Sequence, residues 1–338
     1  MNSKAEKRFM NNFQKISKEE YRNFLNNASF TTFFHQLEWQ DFLQKQFKWL
    51  RFEYYSYKDE AILPIARFKV FGKEKLISLP FCEYGGPLPI KGDINWDNFS
   101  KDAFNEFGNN IKIKIHPRVS DVSGNPPSAS TFLSSHWRSD LGSVSEQELW
   151  DSLRKTLRQE INNAQKCGLE IKKCKNQQEL EKFYDLYVAN LRRKKTIPYP
   201  RSLIQFLYKN ASSELLLAFY KGRIIGGALF LQYSGFIHYF LSATDYRYRN
   251  LSVAHLILWE KIRGLINKDV IFDLGASPRG SALEIFKRGW GGKEYPIYQL
   301  GIKRSEENLR SSKLRNVFGL LPNFAIKALS PLLIKYRI

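Results

Sequence analysis

Three apolar runs, Glu214–Tyr220, Arg223–Leu231 and Phe236–Ala243, follow one another with only Lys221-Gly222 and Ser234-Gly235 between them. Such dipeptides between apolar runs are tight hairpin turns, because glycine enters the positive-φ backbone that a two-residue loop demands. The stretch is therefore predicted to be a three-stranded antiparallel meander. A meander this apolar has to be covered, and the sequence on both sides supplies helices. Ser145 stands three residues before Glu148, a capping box, and starts a helix through "EQELWDSLRKTLRQEINNAQK" that stops near Gly168. Glu170–Cys174 is a short strand. Asn176 and Glu179 open a second helix whose Leu180, Phe183, Tyr184 and Tyr187 share one face. A shorter helix follows Pro200. After the meander come a helix at Leu251–Ile266, a strand at Val270–Gly275, a short helix about Ser281–Arg288 and a strand at Tyr295–Ile302. From Glu170 the order is β-α-α-β-β-β-α-β-α-β, an α+β (mixed α/β) fold.

The 338 residues favour two domains. The first runs to about Ser143. Gln36–Gln46 reads as an amphipathic helix with Leu37, Trp39, Phe42 and Leu43 as its apolar set. Strand-like runs follow at Leu50–Tyr57, Ala61–Phe68 and Leu76–Pro80. In "LPFCEYGGPLPI" the glycines and prolines force irregular backbone, and "SGNPPSAS" (123–130) is a loop by composition. The expected division is 1–143, 144–304 and a basic apolar tail, 305–338. Apolar residues at 43% are enough for two cores, and a net charge of +20 sets a positive field over the surface. That field suits RNA, anionic lipid or phosphorylated substrates, or belongs to a basic enzyme with no polyanion partner. Cys82, Cys167 and Cys174 make no disulfide framework, which points to a reducing compartment. The N-terminus lacks the apolar core of a signal peptide, and no apolar run is long enough to span a bilayer. The expected location is cytoplasmic, with the inner face of the membrane within reach. The segment 317–338, broken by Pro322 and Pro331 and flanked by Lys and Arg, either packs on its own domain or lies in a membrane interface.

Chemistry-bearing residues concentrate in three places. "TDYRYRNLSVAHLIL" (244–258) joins a buried strand to a helix start, where main-chain N–H groups and the helix dipole favour anions. Arg192, Arg193, Lys194 and Lys195 end a helix, either as cations complementing its dipole or as a phosphate contact. "FDLGASPRGSALEIFKRGWGGK" (272–293) places Asp273 at a strand end, as a general base, as the residue that orients one, or as a structural acceptor of main-chain N–H groups. The five histidines are scattered, no Cys/His spacing indicates a metal, and no phosphate-loop or dinucleotide fingerprint is present. His238, in mid-strand, reads as a satisfied core residue.

Several stretches also resemble a known family. "LRQEINNAQKCGLEI" (157–171), "YDLYVANLRRKKTIPYP" (184–200), the Trp39 region with "SLPFCEYGGPL" (78–88), and "IFKRGWGG" (285–292) are collinear from about Phe33 to Ile302. They resemble the Fem-type family of the GNAT acyltransferase superfamily, which comprises peptidoglycan bridge-forming aminoacyltransferases and related proteins of envelope polysaccharide clusters. The resemblance implies two GNAT-like domains side by side, each a mixed, mostly antiparallel sheet flanked by helices, the first degenerate. It looks like the branch without the long helical arm.

The resemblance also implies no bound cofactor, a donor that is aminoacyl-tRNA or an acyl-CoA, and a lipid-linked or nucleotide-linked envelope precursor as acceptor. The acceptor amine would belong to a peptidoglycan stem peptide or an amino sugar. Arg249, Ser252 and Ala254 fall in the donor loop, with Ser252 where the family has its first glycine. A side chain there crowds a pyrophosphate, so the loop, like the charge, leans towards aminoacyl-tRNA. Arg193, barely preferred over Arg192, would face the phosphorylated acceptor. Phe286, Lys287 and Trp290 fall at the acceptor pocket, with Lys287 neutralising a phosphate or stabilising an oxyanion, and Asp273 beside them. The rival readings are an acetyl-CoA-dependent N-acetyltransferase of exopolysaccharide biosynthesis and a non-catalytic GNAT-like binding protein.

Overall fold

The computed structural model describes residues 12–90, 94–122, 130–301 and 318–337. The N-terminal stretch, most of the 123–130 loop and the tail up to residue 317 lie outside the described residues. The fold is mixed α+β. Two compact units emerge: residues 1–40, 48–130 and 298–302 form unit 1, and residues 41–47, 131–297 and 303–338 form unit 2. The division falls near 130 rather than 143, because the strand at 130–138 pairs with Ile271–Pro278 of the second unit.

Unit 1 contains β1 (Phe13–Ile16), α1 (Lys18–Asn27), the start of α2 (Leu37–Gln46), β2 (Arg51–Tyr57), β3 (Ala61–Val70), β4 (Lys73–Ile77), β5 (Leu88–Pro89), α3 (Trp96–Phe107), β6 (Ile111–Lys114) and α4 (Pro117–Val122). Its sheet order is β1-β2-β3-β4-β6, followed by residues 298–301. Ala61, Ile62, Leu63, Ile65 and Ala66 of β3 are all fully buried, as a strand covered on both faces requires. β4 and β6 are parallel, pairing Leu76 with Ile111 and Ile77 with Lys112. Ser78 N–H donates to Lys112 O at 2.9 Å, and the chain then leaves β4. It returns at Gly85 and Gly86, whose N–H groups donate to Lys114 O at 2.9 and 2.6 Å. A Cβ on Gly86 would stand 3.0 Å from both Ile115 Cα and Lys114 O, so a side chain here would crowd the main chain that fills this gap.

Unit 2 takes the expected meander as its frame: β9 (Ser213–Tyr220), β10 (Arg223–Tyr233) and β11 (Phe236–Thr244) are antiparallel. Both turns have two consecutive positive-φ residues, Lys221 and Gly222 at 49° and 72° and Ser234 and Gly235 at 40° and 78°. That is the backbone a right-twisted hairpin selects. β8 (Glu170–Lys173) pairs with β9. α9 (Val253–Arg263) is the crossover that brings β12 (Ile271–Pro278) parallel to β11. β7 (Ser130–Arg138) lies antiparallel on β12, and β13 (Lys293–Gly301) follows. Neighbouring β10 residues point to opposite faces. A Cβ on Gly226 would meet Val253 of α9, and one on Gly227 would meet Phe183 of α7 (Gln177–Arg193), so one helix covers each face.

The single helix expected from Glu146 to Lys166 is two, α5 (Glu146–Ser152) and α6 (Lys155–Lys166). Leu153 and Arg154 are extended at the break. Leu153 and Leu157 are both buried, and Arg154 N–H reaches Gly289 O at 3.4 Å. Tertiary contacts outweigh the propensity of the run. α8 (Arg201–Lys209), α10 (Ala282–Arg288) and α11 (Asn323–Leu333) complete the unit.

Candidate active site

β11 and β12 pair over only three positions, Phe236–Ile271, Ile237–Phe272 and His238–Asp273. Immediately afterwards each slips against its other neighbour: β11 carries one extra residue opposite Leu229–Phe230, and β12 bulges against β7 between Asp273 and Ala276. Bulges bend and twist a strand, so the parallel pair parts here. The parted segments are the carboxyl ends of both strands, the end of a parallel pair at which open sheets take their ligands.

The last paired position is polar and fully buried. Asp273 Oδ2 lies 2.8 Å from His238 Nδ1. Asp273 Oδ1 accepts from Ser135 Oγ at 2.6 Å and from Gly275 N–H at 2.7 Å, and Trp137 Nε1 donates to Ser135 Oγ at 3.2 Å. Burial, reinforced by the charge of Lys287, pushes the His238 imidazole down to about 3, so the ring is neutral. Where the Asp273 carboxylate accepts from the ring, the ring proton sits on Nδ1. Asp273 has no exposed surface. Its oxygens face His238, Ser135 and the Gly275 N–H rather than solvent. Sequence reasoning missed His238 as its partner; the available signal was a histidine inside an apolar strand.

α10 follows β12 and begins at Ser281, whose Oγ accepts from Glu284 N–H at 3.2 Å. One turn on, Lys287 points inward, 4% exposed, and Nζ donates to Gly275 O at 2.7 Å and Ala276 O at 2.8 Å, on the bulged segment of β12. Phe286 is half-buried, with its ring 5.1 Å from that of His255 on α9, so α9 and α10 meet at the same end of the parted strands. Trp290 is 1% exposed and belongs to the core of unit 2. The expectation that Trp290 faces a substrate is corrected: the chain turns inward after Gly289, and Arg138, itself bonded to both oxygens of Asp140, donates to Trp290 O at 2.9 Å. Gly292 has φ 86°, and a Cβ there would overlap Trp137 O at 2.3 Å. The glycine-rich stretch is thus a close-packed return from α10 into β13.

Beyond Asp245 the chain makes a short 3-10 turn, Tyr246–Leu251, into α9. Here the structure joins two residues expected at different sites. The guanidinium of Arg193 lies 3.9 Å from the Tyr246 ring centroid, and that of Arg249 lies 4.4 Å from it. All three are exposed, and together they form one cationic aromatic patch. Ser252 is buried in the left-handed conformation (φ 52°), at the position where the resemblance has glycine. Its Oγ is hydrogen-bonded to Glu160 of α6 beside the N-terminus of α9. A carboxylate of the protein therefore already sits near the helix end that would hold a pyrophosphate. Ala254 is half-buried in the first turn of α9. From His238 to Thr244 is about 20 Å of strand at about 3.3 Å per residue, which separates this patch from the base of the parted strands.

At the C-terminus, Ile326, Ser330 and Ile334 are fully buried, with α11 packed on α7. Leu320, Phe324 and Leu332 are exposed at 81%, 76% and 66%. Among the described residues no helix is long and apolar enough to cross a membrane.

Comparison with known proteins agrees with this geometry. Residues 151–288 match the family model described as an acetyltransferase (GNAT) domain. No curated protein matches the chain significantly. Among solved structures, FemX superposes with a TM-score of 0.61 at 12% identity, over 88% of this chain and 99% of FemX. L-PGS from Bacillus licheniformis gives 0.54 at 14% identity, over 90% and 97%. The C-terminal DUF2156 domain of a protein named as a lysylphosphatidylglycerol synthetase, from Agrobacterium fabrum, gives 0.54 at 12%, over 88% and 96%. Residues 151–288 of this chain thus match a GNAT acetyltransferase domain model, and the chain has the fold of FemX and L-PGS.

Proposed function

We propose that unit 2 is an N-acyltransferase that moves an aminoacyl group from aminoacyl-tRNA onto an amine of a cell-envelope precursor, nucleotide-linked or lipid-linked. The observation that carries this reading is the parting of β11 and β12 just beyond His238–Asp273, with the Lys287 ammonium held on the bulged edge. The acceptor amine attacks the acyl carbonyl in its neutral form. The C–N bond forms, the bond to the donor oxygen breaks, and the proton lost by nitrogen ends on the leaving oxygen. Lys287 offers positive charge where the tetrahedral oxyanion develops, and one such donor contributes about 10²–10³ in rate. Asp273 and His238 are positioning residues that hold the two strands in register up to the point where they part. Phe286 and the Arg193–Tyr246–Arg249 patch flank the acceptor and the donor phosphates.

Ser252 and Glu160 favour aminoacyl-tRNA over acetyl-CoA. A carboxylate at the N-terminus of α9 competes with a pyrophosphate for the same N–H groups and dipole. The +20 charge supports a polyanionic donor. The exposed apolar side chains of the C-terminal segment, beside Lys335 and Arg337, suit contact with an anionic membrane where a lipid-linked acceptor resides. The deciding experiment incubates the protein and an envelope-precursor extract with charged tRNA or acetyl-CoA, with and without RNase. RNase-sensitive transfer is expected; transfer that survives RNase and needs the thioester overturns the donor assignment. Absence of transfer from either donor favours the binding-protein reading.

A further inference from the structure

Outside the His238–Asp273 network, three side chains from three separate elements converge: His136 of β7, Glu284 of α10 and Glu294 of β13. One ligand atom from each lies within 4.8 Å of the others. Strand alternation sets this up. Ser135 and Trp137 bond each other on one face of β7, so His136 points to the opposite face. Glu284 is fixed in the first turn of α10, with Gly280 N–H on one carboxylate oxygen and Arg288 on the other at 2.7 Å. Glu294 stands at the second residue of β13, with Arg279 3.3 Å away.

The histidine is what makes the cluster more than a pair of carboxylates. His136 is 2% exposed, and neither ring nitrogen has a hydrogen-bond partner. A buried imidazole with both nitrogens unsatisfied carries a desolvation cost that proteins rarely leave uncompensated. Burial holds its proton affinity below the ordinary histidine value, with Glu294 and Glu284 opposing, so the ring offers a lone pair. Each carboxylate oxygen has two lone pairs, so the arginine contacts leave acceptor capacity. Arg288 and Arg279 are 62% and 51% exposed along their side chains and can turn to water; His136 cannot.

We propose that His136, Glu284 and Glu294 bind a first-row divalent metal ion of the Zn²⁺ class. One imidazole and two carboxylates form a mixed N/O set, which suits zinc, manganese or iron better than the all-oxygen cages of calcium or magnesium. Three protein ligands leave at least one further coordination position. The bound ion ties α10 to β7 and β13. Glu284 and Lys287 are three residues apart on one helix and so share a face, which makes the ion a clamp on the helix that carries Lys287. The site stands whether or not the transfer reaction proposed above is correct.

The test uses the full chain, stripped with chelator, and Zn²⁺ alone, followed by bound-metal analysis and calorimetry. One equivalent is expected to bind and to raise Tm. His136→Ala is expected to weaken binding by more than the roughly 10–100-fold that loss of an outer partner costs. Glu294→Gln, a nearly isosteric change at a half-exposed residue, is the second variant and decides the matter should His136→Ala fold poorly. Co²⁺ loading adds a visible absorption band that both variants lose. If the wild-type chain takes up no Zn²⁺, or Glu294→Gln binds it as tightly as wild type, the proposal is overturned and the three residues form an internal polar cluster only.

Discussion

Among the described residues, β4 with β6 in unit 1 and β11 with β12 in unit 2 are parallel pairs, and the two meet opposite fates. In unit 1, β4 and β6 pair at two positions, after which Gly85 and Gly86 bring main chain back onto Lys114 O. In unit 2, β11 and β12 pair at three positions and then part, with His238, Asp273 and Lys287 at the edges. The buried histidines follow the same division. His35 of unit 1 is bonded to Thr32 Oγ1 at 2.7 Å and to Gly86 O at 3.3 Å, among uncharged groups. His238 is bonded to a carboxylate and feels an ammonium. A gap satisfied by uncharged main chain belongs to the framework. One rimmed by buried ionisable groups is a candidate functional site.

The largest effect expected is from Asp273→Ala, which strips the acceptor from His238, Ser135 and Gly275 N–H at once. At about 1–3 kcal/mol for each buried donor left without its acceptor, denaturant unfolding should register a loss of several kcal/mol; a loss below about 1 kcal/mol would mean the strands do not depend on this anchor. In unit 1 the counterpart is pH. Burial lowers the His35 imidazole from 6.5 to about 4. Between those values the unfolded chain binds a proton that the folded chain does not, so stability falls as pH drops from 6.5 to 4 and is unaffected above. The cost reaches up to roughly 3 kcal/mol. His35→Gln should flatten that part of the wild-type stability–pH curve, and an unchanged slope would place the titration elsewhere.

Lys287→Ala should lower the transfer rate by roughly 10²-fold, about 2.7 kcal/mol in barrier. Retention of half the rate would remove Lys287 from the chemistry. Gly86→Ala, the matching change in the closed gap of unit 1, should cost about 1–3 kcal/mol of stability. It should leave turnover within about twofold; a larger drop in kcat at intact stability would make that gap functional too. The smallest change in stability, within about 0.5 kcal/mol, is expected for Phe324→Ser with Leu332→Ser. Sedimentation with anionic liposomes should nevertheless fall, and unchanged binding would take the C-terminal segment out of any membrane role.

Much of unit 2 was legible in the sequence because its signals are local. The turns at 221–222 and 234–235, the caps at Ser145 and Asn176, and the positions of α7, α9, β12 and α10 all follow from neighbouring residues. Unit 1 was less legible: β1, α1, α3 and β6 were not predicted, and their short, mixed stretches are stabilised mainly by packing. The break at Leu153–Arg154 was hidden for the same reason, since the sequence there continues a good helical pattern.

By itself, the sequence determined the meander, the order of elements and the resemblance carried by collinear stretches such as "IFKRGWGG". It also singled out Asp273, Phe286, Lys287, Arg193 and Arg249 as residues of interest. Only the tertiary structure decided which of them meet. Arg193 and Arg249 share one tyrosine, Asp273 meets His238 across 35 residues, Trp290 turns into the core, and His136 finds Glu284 and Glu294. Turns and caps are settled within a few residues by backbone sterics and local hydrogen bonds. Cross-strand partners depend on register and bulges between segments far apart in the chain, where a slip of one residue sends every side chain to the opposite face.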